Sequence, residues 1–151
     1  MKKLRIPPVV IFLVSLGMMF GVYYLTPEWN FSFSFQTILS RIFLALGVLV
    51  VFSGIIAFRM KKTTVDPLHP EKASTLVISG IYQYTRNPMY LGMAFILIGA
   101  LIRIANPLTL IGLVFFVWYL DKFQIRSEEE SLIKLFGEEY ESYCKKVNRW
   151  I

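Results

Sequence analysis

The sequence GIYQYTRNPMYLG, residues 80–92, marks the point where a polar segment becomes a long apolar run. Within it, Asn87 is a residue type that often caps helices, and Pro88 suits the first helical position, where its missing N–H has no partner to lose. The pattern therefore predicts a helix that begins at Pro88. The free amide groups of its first turn would face the preceding loop, and a helix start of this kind attracts an anionic group.

The apolar run after residue 88 is one of several, and together they predict an all-α integral membrane protein. Apolar residues make up 56% of the 151-residue chain, and the mean hydropathy is +0.57, which is high for a soluble domain of this size. Crossing the hydrocarbon core takes roughly 20 mostly apolar residues. The apolar blocks therefore predict a single membrane domain over 1–151 with four transmembrane helices. Their ranges are 8–25, 38–60, 88–104 and 107–124, the last two forming a helical hairpin.

The segments between the apolar blocks differ in character. The first block follows a short basic segment, as in a signal peptide, but it is long for that purpose and lacks a cleavage pattern, so we expect a retained helix. Residues 27–36 alternate aromatic and polar side chains, which favours an interfacial loop over a strand in this position. Residues 61–87 form a long polar loop, and loops of this length are usually functional or disordered.

The last segment, residues 125–151, is predicted to be an amphipathic tail outside the membrane. Apolar residues recur there at helical spacing opposite a charged face. Ser127 and Glu130 have the spacing of a capping box, which predicts a helix start at this point. Gly137 predicts a bend between two shorter helices.

The basic residues predict how the helices are oriented. With four spans, the N-terminus, the 61–87 loop and the tail share one side, and fourteen of the sixteen Lys and Arg residues lie there. Only Arg41 and Arg103 fall on the other side. The positive-inside rule then places both termini in the cytoplasm and the protein in the cell (inner) membrane. Because topology explains the +6 charge, no nucleic-acid partner is expected.

Two polar clusters, residues 80–92 and 126–130, fall on the predicted cytoplasmic side, and topology brings them to one pocket at the membrane–cytosol boundary. The residues alone leave simpler roles open. Glu128 and its neighbours are also typical of an exposed first helical turn, Arg86 of a headgroup anchor, and the tyrosines of an interfacial belt. Cys144 is the single cysteine and no zinc pattern is present, so neither an intrachain disulfide nor a metal site is predicted.

Two stretches carry a family resemblance: Gly80-Ile81-Tyr82-x-x-x-Arg86-Asn87-Pro88-x-Tyr90-x-Gly92 and Glu128-Glu129-x-x-Leu132-x-x-x-Phe136-Gly137-x-x-Tyr140-x-x-Tyr143-x-x-x-Val147. They resemble the two halves of the signature of the isoprenylcysteine carboxyl methyltransferase family, which phospholipid methyltransferases partly share. Leu76-Val77-x-x-Gly80 and residues 63–67 also fit bacterial members. Asn87 stands where many members have histidine, and unlike histidine it cannot titrate near neutral pH.

The resemblance implies S-adenosylmethionine bound on the cytoplasmic side, with its carboxylate at the helix start, its adenine beside the loop, and its amino or ribose groups near the tail glutamates. The implied cofactor-binding residues are Leu76, Val77, Gly80, Tyr82, Arg86, Asn87, Pro88, Tyr90, Glu128 and Glu129.

The implied acceptor is a prenylated or other lipophilic molecule that enters from the membrane lipids between the spans. The catalytic candidates are Arg126, Glu129 and Arg149. A carboxylate acceptor needs no base, and Arg126 or Arg149 would orient it. An amine needs a base, for which Glu128 or Glu129 is the candidate. The first expectation is isoprenylcysteine carboxyl O-methylation, and the alternative is N-methylation of a phospholipid amine.

Two further readings stay open at this point. Sterol-reductase-like membrane enzymes carry a similar Arg-x-Pro-x-Tyr-x-Gly stretch and would use NADPH, although an acidic residue usually follows that glycine and Met93 follows it here. A non-enzymatic membrane adaptor would use both motifs for packing alone. The sequence does not indicate an oligomeric state.

Overall fold

A computed structural model of the chain describes residues 6–61 and 74–151. The first five residues, with their basic side chains, and residues 62–73 of the predicted polar loop lie outside the described residues. Throughout the described ranges the secondary structure is helical and contains no strand, which confirms the predicted fold class. The helices are α1 (Pro8–Leu25), α2 (Gln36–Met60), α3 (Pro88–Ile104), α4 (Leu110–Tyr119), α5 (Arg126–Phe136) and α6 (Glu138–Lys146).

The lengths of these helices fit an integral membrane protein. Among the described residues, three helical stretches are long and apolar enough to cross a bilayer: Pro8–Leu25, Gln36–Met60 and Pro107–Phe136. The apolar α3 has 17 residues, about 25 Å at 1.5 Å per residue. It therefore falls slightly short of the hydrocarbon core. α1 and α3 have the predicted bounds, and α2 begins two residues before the expected position 38.

α2 and α3 form a closely packed antiparallel pair in which small residues repeat every seven positions. They are Ser40, Gly47 and Gly54 on α2 and Gly92 and Gly99 on α3, all buried. A Cβ added to Gly92 would lie 2.6 Å from the carbonyl oxygen of Gly47, and a Cβ added to Gly47 would lie equally close to that of Gly92. Small residues at a membrane helix interface allow this approach of the two backbones.

α1 packs against α4, and both join α3 in one apolar core. Gly112 of α4 lies so close to α1 that a Cβ there would be 2.6 Å from the carbonyl oxygen of Ser15. The buried side chains of the core come from all three helices and from the segment after α4: Ile11, Met19, Tyr90, Ala94, Leu97, Phe116, Leu120 and Ile125. The start of α3 and the segment after α4 therefore lie side by side.

The connections at the opposite end of the bundle are held by Asn106. This side chain is 1% exposed. Its amide nitrogen donates to the Thr26 carbonyl and to the Asn30 side chain at 3.0 and 2.8 Å. Its oxygen accepts from the Leu108 N–H at 3.0 Å. The α1–α2 loop is thus fixed to the tight turn between α3 and α4, and the helical hairpin predicted there is present.

The helix start predicted at Ser127 is wrong. A π-helical segment, Leu120–Ile125, joins α4 to α5 without interruption. Ser127 caps nothing, and its carbonyl oxygen accepts from the Ser131 hydroxyl at 2.9 Å, as within a helix. The reason is tertiary packing: Leu120, Gln124 and Ile125 are buried. The helix is therefore carried past the expected stop, and α5 has no free first-turn N–H groups for a serine to satisfy.

The continuous helix Pro107–Phe136 has 30 residues, about 45 Å in length. Because the hydrocarbon core is only about 30 Å thick, one end of this helix must project from it. Gly137 then bends the chain, as predicted, with a backbone (φ +54°, ψ −128°) that glycine adopts most readily. α6 folds back so that Tyr140, Tyr143 and Val147 form a second small core.

Candidate functional site

The loop before α3 is anchored on both sides. Tyr82 lies in a 3₁₀ turn, Gly80–Gln83, and its buried ring packs edge-on against Phe58 of α2, with ring centroids 5.3 Å apart. Its carbonyl oxygen accepts a hydrogen bond from the Tyr143 hydroxyl of α6 at 2.6 Å. Gly80 begins the turn with a φ of +65°, which favours glycine. The loop therefore holds the end of α2, the start of α3 and the tail together.

Burial sets the protonation of the tyrosines in this region. It raises the pKa of Tyr82 and of Tyr143 well above the usual tyrosine value. Removing the side chain from water disfavours the charged phenolate. Both hydroxyls therefore stay protonated at physiological pH, and that of Tyr143 remains a hydrogen-bond donor to the loop.

Asn87 precedes α3 at the predicted position, but the prediction that its side chain caps the helix is wrong. Its amide nitrogen donates instead to the carbonyl oxygen of Arg149 at 3.0 Å. The Thr85 hydroxyl donates to the same oxygen at 3.1 Å and accepts from the Asn87 N–H at 3.2 Å. The C-terminal segment thus supplies the acceptor that draws Asn87 away from the helix start.

Glu129 is the centre of an ionic cluster that joins the loop to the tail. Its carboxylate lies 2.9 Å from Nη1 of Arg86 and 2.6 Å from Nη2 of Arg149. The side chains of Arg86 and Glu129 are only 12% and 14% exposed. Arg149 also donates from Nη1 to Asp121 at 3.1 Å. The cluster therefore brings together residues from the loop, the π-helical segment, α5 and the C-terminal segment.

These contacts keep Arg149 charged. Hydrogen bonds to Glu129, together with the charges of Glu129 and Asp121, raise the pKa of Arg149 above the usual arginine value. Both carboxylates favour the protonated guanidinium. Arg149 is therefore a fixed cation at the edge of the cluster.

Glu128 lies beside this cluster and faces the start of α3. Its Oε1 accepts hydrogen bonds from the Tyr90 hydroxyl and from the Gln124 amide, each at 2.5 Å. Gln124 belongs to the π-helical segment and is 3% exposed. π-helical turns inside α-helices often occur at functional sites, and here the segment supplies both Asp121 and Gln124.

An apolar groove of about 500 Å³ runs along α4 and ends beside the ionic cluster. Its lining residues are Leu113, Val114, Val117, Trp118, Asp121 and Trp150. Among these described lining residues Asp121 alone is charged, and its carboxylate is paired with Arg149. The groove is therefore apolar apart from Asp121, the lining residue next to the ionic cluster.

Comparison with known proteins shows the family to which the chain belongs. A sequence profile of the phospholipid methyltransferase family matches residues 35–139, about 70% of the chain. The chain belongs to this family. The matched range contains α2 to α5 with the connecting loop, and so most of the cluster described above. No solved structure gives a significant match.

The names of individual relatives agree with the family resemblance seen in the sequence. A protein-S-isoprenylcysteine O-methyltransferase of Xenopus laevis is 44% identical over 73 residues, 48% of this chain and 25% of its own length. That of Saccharomyces cerevisiae is 39% identical over 77 residues, 51% of this chain and 32% of its own. A probable protein-S-isoprenylcysteine O-methyltransferase of Oryza sativa subsp. indica is 26% identical over 114 residues, 76% and 60% of the two chains. The match therefore covers between a quarter and about three fifths of these relatives.

Most residues predicted for the site of this family member lie in or beside the cluster. Ion pairs join Arg86, Glu129 and Arg149. Beside them, Tyr90 donates a hydrogen bond to Glu128. Asn87, Pro88, Gly80 and Tyr82 shape the adjoining loop and helix start. Val77 is buried, and Leu76 packs against the core around Tyr140 and Tyr143. Arg126 is different: it is exposed at the start of α5 and is not brought into the cluster.

Sequence reasoning missed four residues of the site: Thr85, Asp121, Gln124 and Cys144. The Cys144 sulfur accepts a hydrogen bond from Nη1 of Arg86 at 2.5 Å. Asp121 and Gln124 precede Glu128 by seven and four positions, which places all three on one face of a continuous helix. The spacing of these three residues already indicated a shared helical face. Because a helix start was predicted at Ser127, the three were not assigned to one helix.

Proposed function

We propose that this protein transfers a methyl group from S-adenosylmethionine to a lipophilic acceptor at the boundary between membrane and cytosol. The observation that carries the proposal is the cluster around Glu129, where the loop of residues 80–92 meets the tail. The family and the names of the relatives support methyl transfer in particular. The basic residues of the loop and tail support a cytoplasmic site.

The described residues of the cluster fit this cofactor by charge. The guanidiniums of Arg86 and Arg149 lie at the carboxylate of Glu129, and the carboxylate of Glu128 is next to it in the chain. S-adenosylmethionine carries a sulfonium and an ammonium, which carboxylates attract, and a carboxylate, which a guanidinium attracts. These attractions are strongest where the groups are partly shielded from water.

The donor set also matches. Nε of Arg86 is buried and has no hydrogen-bond partner among the described residues. A buried donor left unpaired is costly, and a carboxylate bound at the start of α3 would provide a partner. Glu128 and Glu129 are the acceptors for the amino or ribose groups. We therefore assign cofactor binding to Arg86, Tyr90, Glu128 and Glu129, with the backbone at Gly80 and Asn87 beside them.

The chemistry then requires positioning more than acid–base catalysis. The bound cofactor supplies an electrophilic methyl group on a sulfonium. A correctly placed nucleophile attacks the methyl carbon and displaces the thioether in one step. Holding the two reactants in line can lower the barrier by several kcal/mol, on the order of 7–11 in favourable cases. The groove along α4 holds the lipid, and the ionic cluster at its end holds the polar groups.

A carboxylate of the isoprenylcysteine type is the first candidate acceptor, because the relatives are named for methylation of isoprenylcysteine and Arg149 pairs with Asp121, which lines the groove. Of the two arginines predicted for this role, the exposed position of Arg126 favours Arg149. N-methylation of a phospholipid amine is the second candidate. It is favoured by Asp121, whose negative charge lines the groove and would attract an ammonium headgroup.

A methyl-transfer assay separates these candidates. Purified protein in lipid vesicles would receive S-adenosylmethionine labelled in its methyl group and either an S-prenylcysteine or phosphatidylethanolamine. Label that alkali releases as methanol indicates a methyl ester and supports the first candidate. Alkali-stable label in the phospholipid headgroup supports the second. Absence of transfer to any lipophilic acceptor, with cofactor binding intact, would contradict the proposed function.

A further inference from the structure

We propose that Asp121 is a specificity-determining residue that occupies, in the absence of substrate, the place of the acceptor's carboxylate on Arg149. The inference rests on the proposed function with a carboxylate acceptor. It concerns a residue to which neither the sequence motifs nor the family signature gave a role.

The geometry of Arg149 shows that its two partners are held differently. Glu129 receives a bidentate pair, from Nε at 3.0 Å and from Nη2 at 2.6 Å. Asp121 receives the remaining nitrogen alone, with Nη1 at 3.1 Å from one carboxylate oxygen and 3.3 Å from the other. Bidentate pairing between arginine and a carboxylate is the stronger and more directional arrangement. Glu129 therefore fixes Arg149, while Asp121 makes the weaker contact.

The exposed fractions of the side chains also distinguish Glu129 from Asp121. The Glu129 side chain is 14% exposed, whereas those of Asp121 and Arg149 are 33% and 31% exposed. Ion pairs that water reaches contribute little to stability, so their partners exchange at little cost. An incoming carboxylate would therefore replace Asp121 on Nη1 and leave the pair with Glu129 intact.

The position of the groove would bring the carboxylate of an acceptor close to Nη1 of Arg149. Asp121 lines the end of the groove, with Trp118 and Trp150 among its apolar neighbours. An apolar chain lying along α4 would place its polar head against Asp121 and the guanidinium paired with it. A head without a negative charge can accept a hydrogen bond from Nη1 but lacks the attraction between opposite charges, so it competes weakly with Asp121. A carboxylate gains the guanidinium but must first displace Asp121, against the repulsion between two negative charges.

This role does not make Asp121 a base. In the proposed reaction a carboxylate oxygen forms a bond to the methyl carbon while the bond from carbon to sulfur breaks. The electron pair of the broken bond stays on sulfur, and the products are a methyl ester and the neutral thioether S-adenosylhomocysteine. No proton moves, so the effect of Asp121 falls on acceptor binding and not on the chemical step.

The test compares Asp121→Asn with wild type and with Glu130→Gln, which removes the same charge from an exposed position on α5. Two probes are needed: an N-blocked S-farnesylcysteine with a free carboxylate, and its carboxamide, which has the same lipid but no charge. Their binding is measured at equilibrium on the solubilised protein saturated with S-adenosylhomocysteine. In the transfer assay the KM and kcat for the carboxylate are measured separately.

For Asp121→Asn we expect the carboxylate probe to bind about fivefold more tightly, roughly 1 kcal/mol at 1.4 kcal/mol per factor of ten, and the carboxamide to bind as in wild type. KM should fall with kcat nearly unchanged, and Glu130→Gln should match wild type. A merely structural role for Asp121 would change both probes together. Asp121→Ser gives the same comparison if Asp121→Asn does not fold.

Equal or weaker carboxylate binding in Asp121→Asn, with S-adenosylhomocysteine still bound, would overturn the inference and leave the proposed function standing. Loss of phosphatidylethanolamine methylation in that variant, with no gain for the carboxylate, would assign Asp121 to an amine headgroup and also overturn it. Failure of the wild-type protein to bind S-adenosylhomocysteine would overturn both the inference and the proposed function.

Discussion

Glu129 joins the two halves of the site, since it pairs with Arg86 of the loop and with Arg149 near the C-terminus. Its low exposure separates it from the next residue of the same helical turn, Glu130, which is exposed. An exposed glutamate in a first turn would be replaceable, whereas removal of Glu129 takes from Arg86 its carboxylate partner among the described residues and leaves Arg149 with Asp121 alone. We therefore expect the proposed cofactor binding to be most sensitive to substitution at this position.

Glu129→Gln is predicted to weaken binding of S-adenosylhomocysteine at least tenfold, about 1.4 kcal/mol. The amide keeps the shape of the side chain but cannot balance Arg86 and Arg149, so the loop loses its electrostatic tie to the tail. Binding is measured by calorimetric titration in detergent, with Glu130→Gln as the matched control at wild-type affinity. An unchanged affinity for Glu129→Gln would return this glutamate to a purely structural role.

The sequence predicted that the loop and the tail would meet, and Arg86, Tyr90, Glu128, Glu129 and Arg149 do lie near one another in the structure. The sequence could not show which backbone atoms of the tail would accept hydrogen bonds from the loop. The Asn87 side chain was expected to cap α3, but the Arg149 carbonyl oxygen lies 62 residues away in the chain and captures it. Local patterns predict caps from neighbours in sequence and cannot include such a partner.

The helix from Pro107 to Phe136 determines how the cluster is assembled, because it carries the apolar α4 and, after the π-helical segment, Glu128 and Glu129. Its apolar pattern predicted a membrane span, and its amphipathic pattern predicted a helix in the tail. The two patterns differ because α4 is apolar throughout, whereas α5 has a charged face. The helix continues from α4 into α5 because the π-helical segment between them is buried. This burial depends on neighbouring helices and could not be read from the sequence.

At the interface of α2 and α3, Gly92→Ala is predicted to destabilise the fold by about 1–3 kcal/mol, the usual cost of overpacking. The added Cβ would lie 2.6 Å from the Gly47 carbonyl oxygen and 2.6 Å from the Val51 side chain, so the helices must move apart. Thermal unfolding in detergent, followed by circular dichroism, measures the change.

Gly17→Ala is the control for this substitution, since a Cβ on Gly17 of α1 meets nothing within 4 Å among the described residues. Alanine is the better helix former, by up to about 1 kcal/mol. The control should therefore unfold at or slightly above the wild-type temperature. Equal stability of the Gly92 and Gly17 variants would contradict the close approach of α2 and α3.

For the whole molecule, orientation in the membrane decides whether the site can meet a cytosolic cofactor. The predicted four-span topology assigns fourteen of the sixteen basic residues to the side that the loop and tail share. We predict that a reporter fused after Ile151 is active in the cytoplasm, whereas the same reporter inserted between Phe31 and Phe33 is exposed on the opposite side. A C-terminal reporter on the outside of the membrane would contradict the proposed topology.

The central claim is that the cluster of loop and tail holds S-adenosylmethionine, and a calorimetric titration of the solubilised wild-type protein tests it most directly. The account predicts saturable binding of S-adenosylhomocysteine with one site per chain and no binding of NADPH under the same conditions. Binding of NADPH without S-adenosylhomocysteine, or binding of neither to the folded protein, would contradict it.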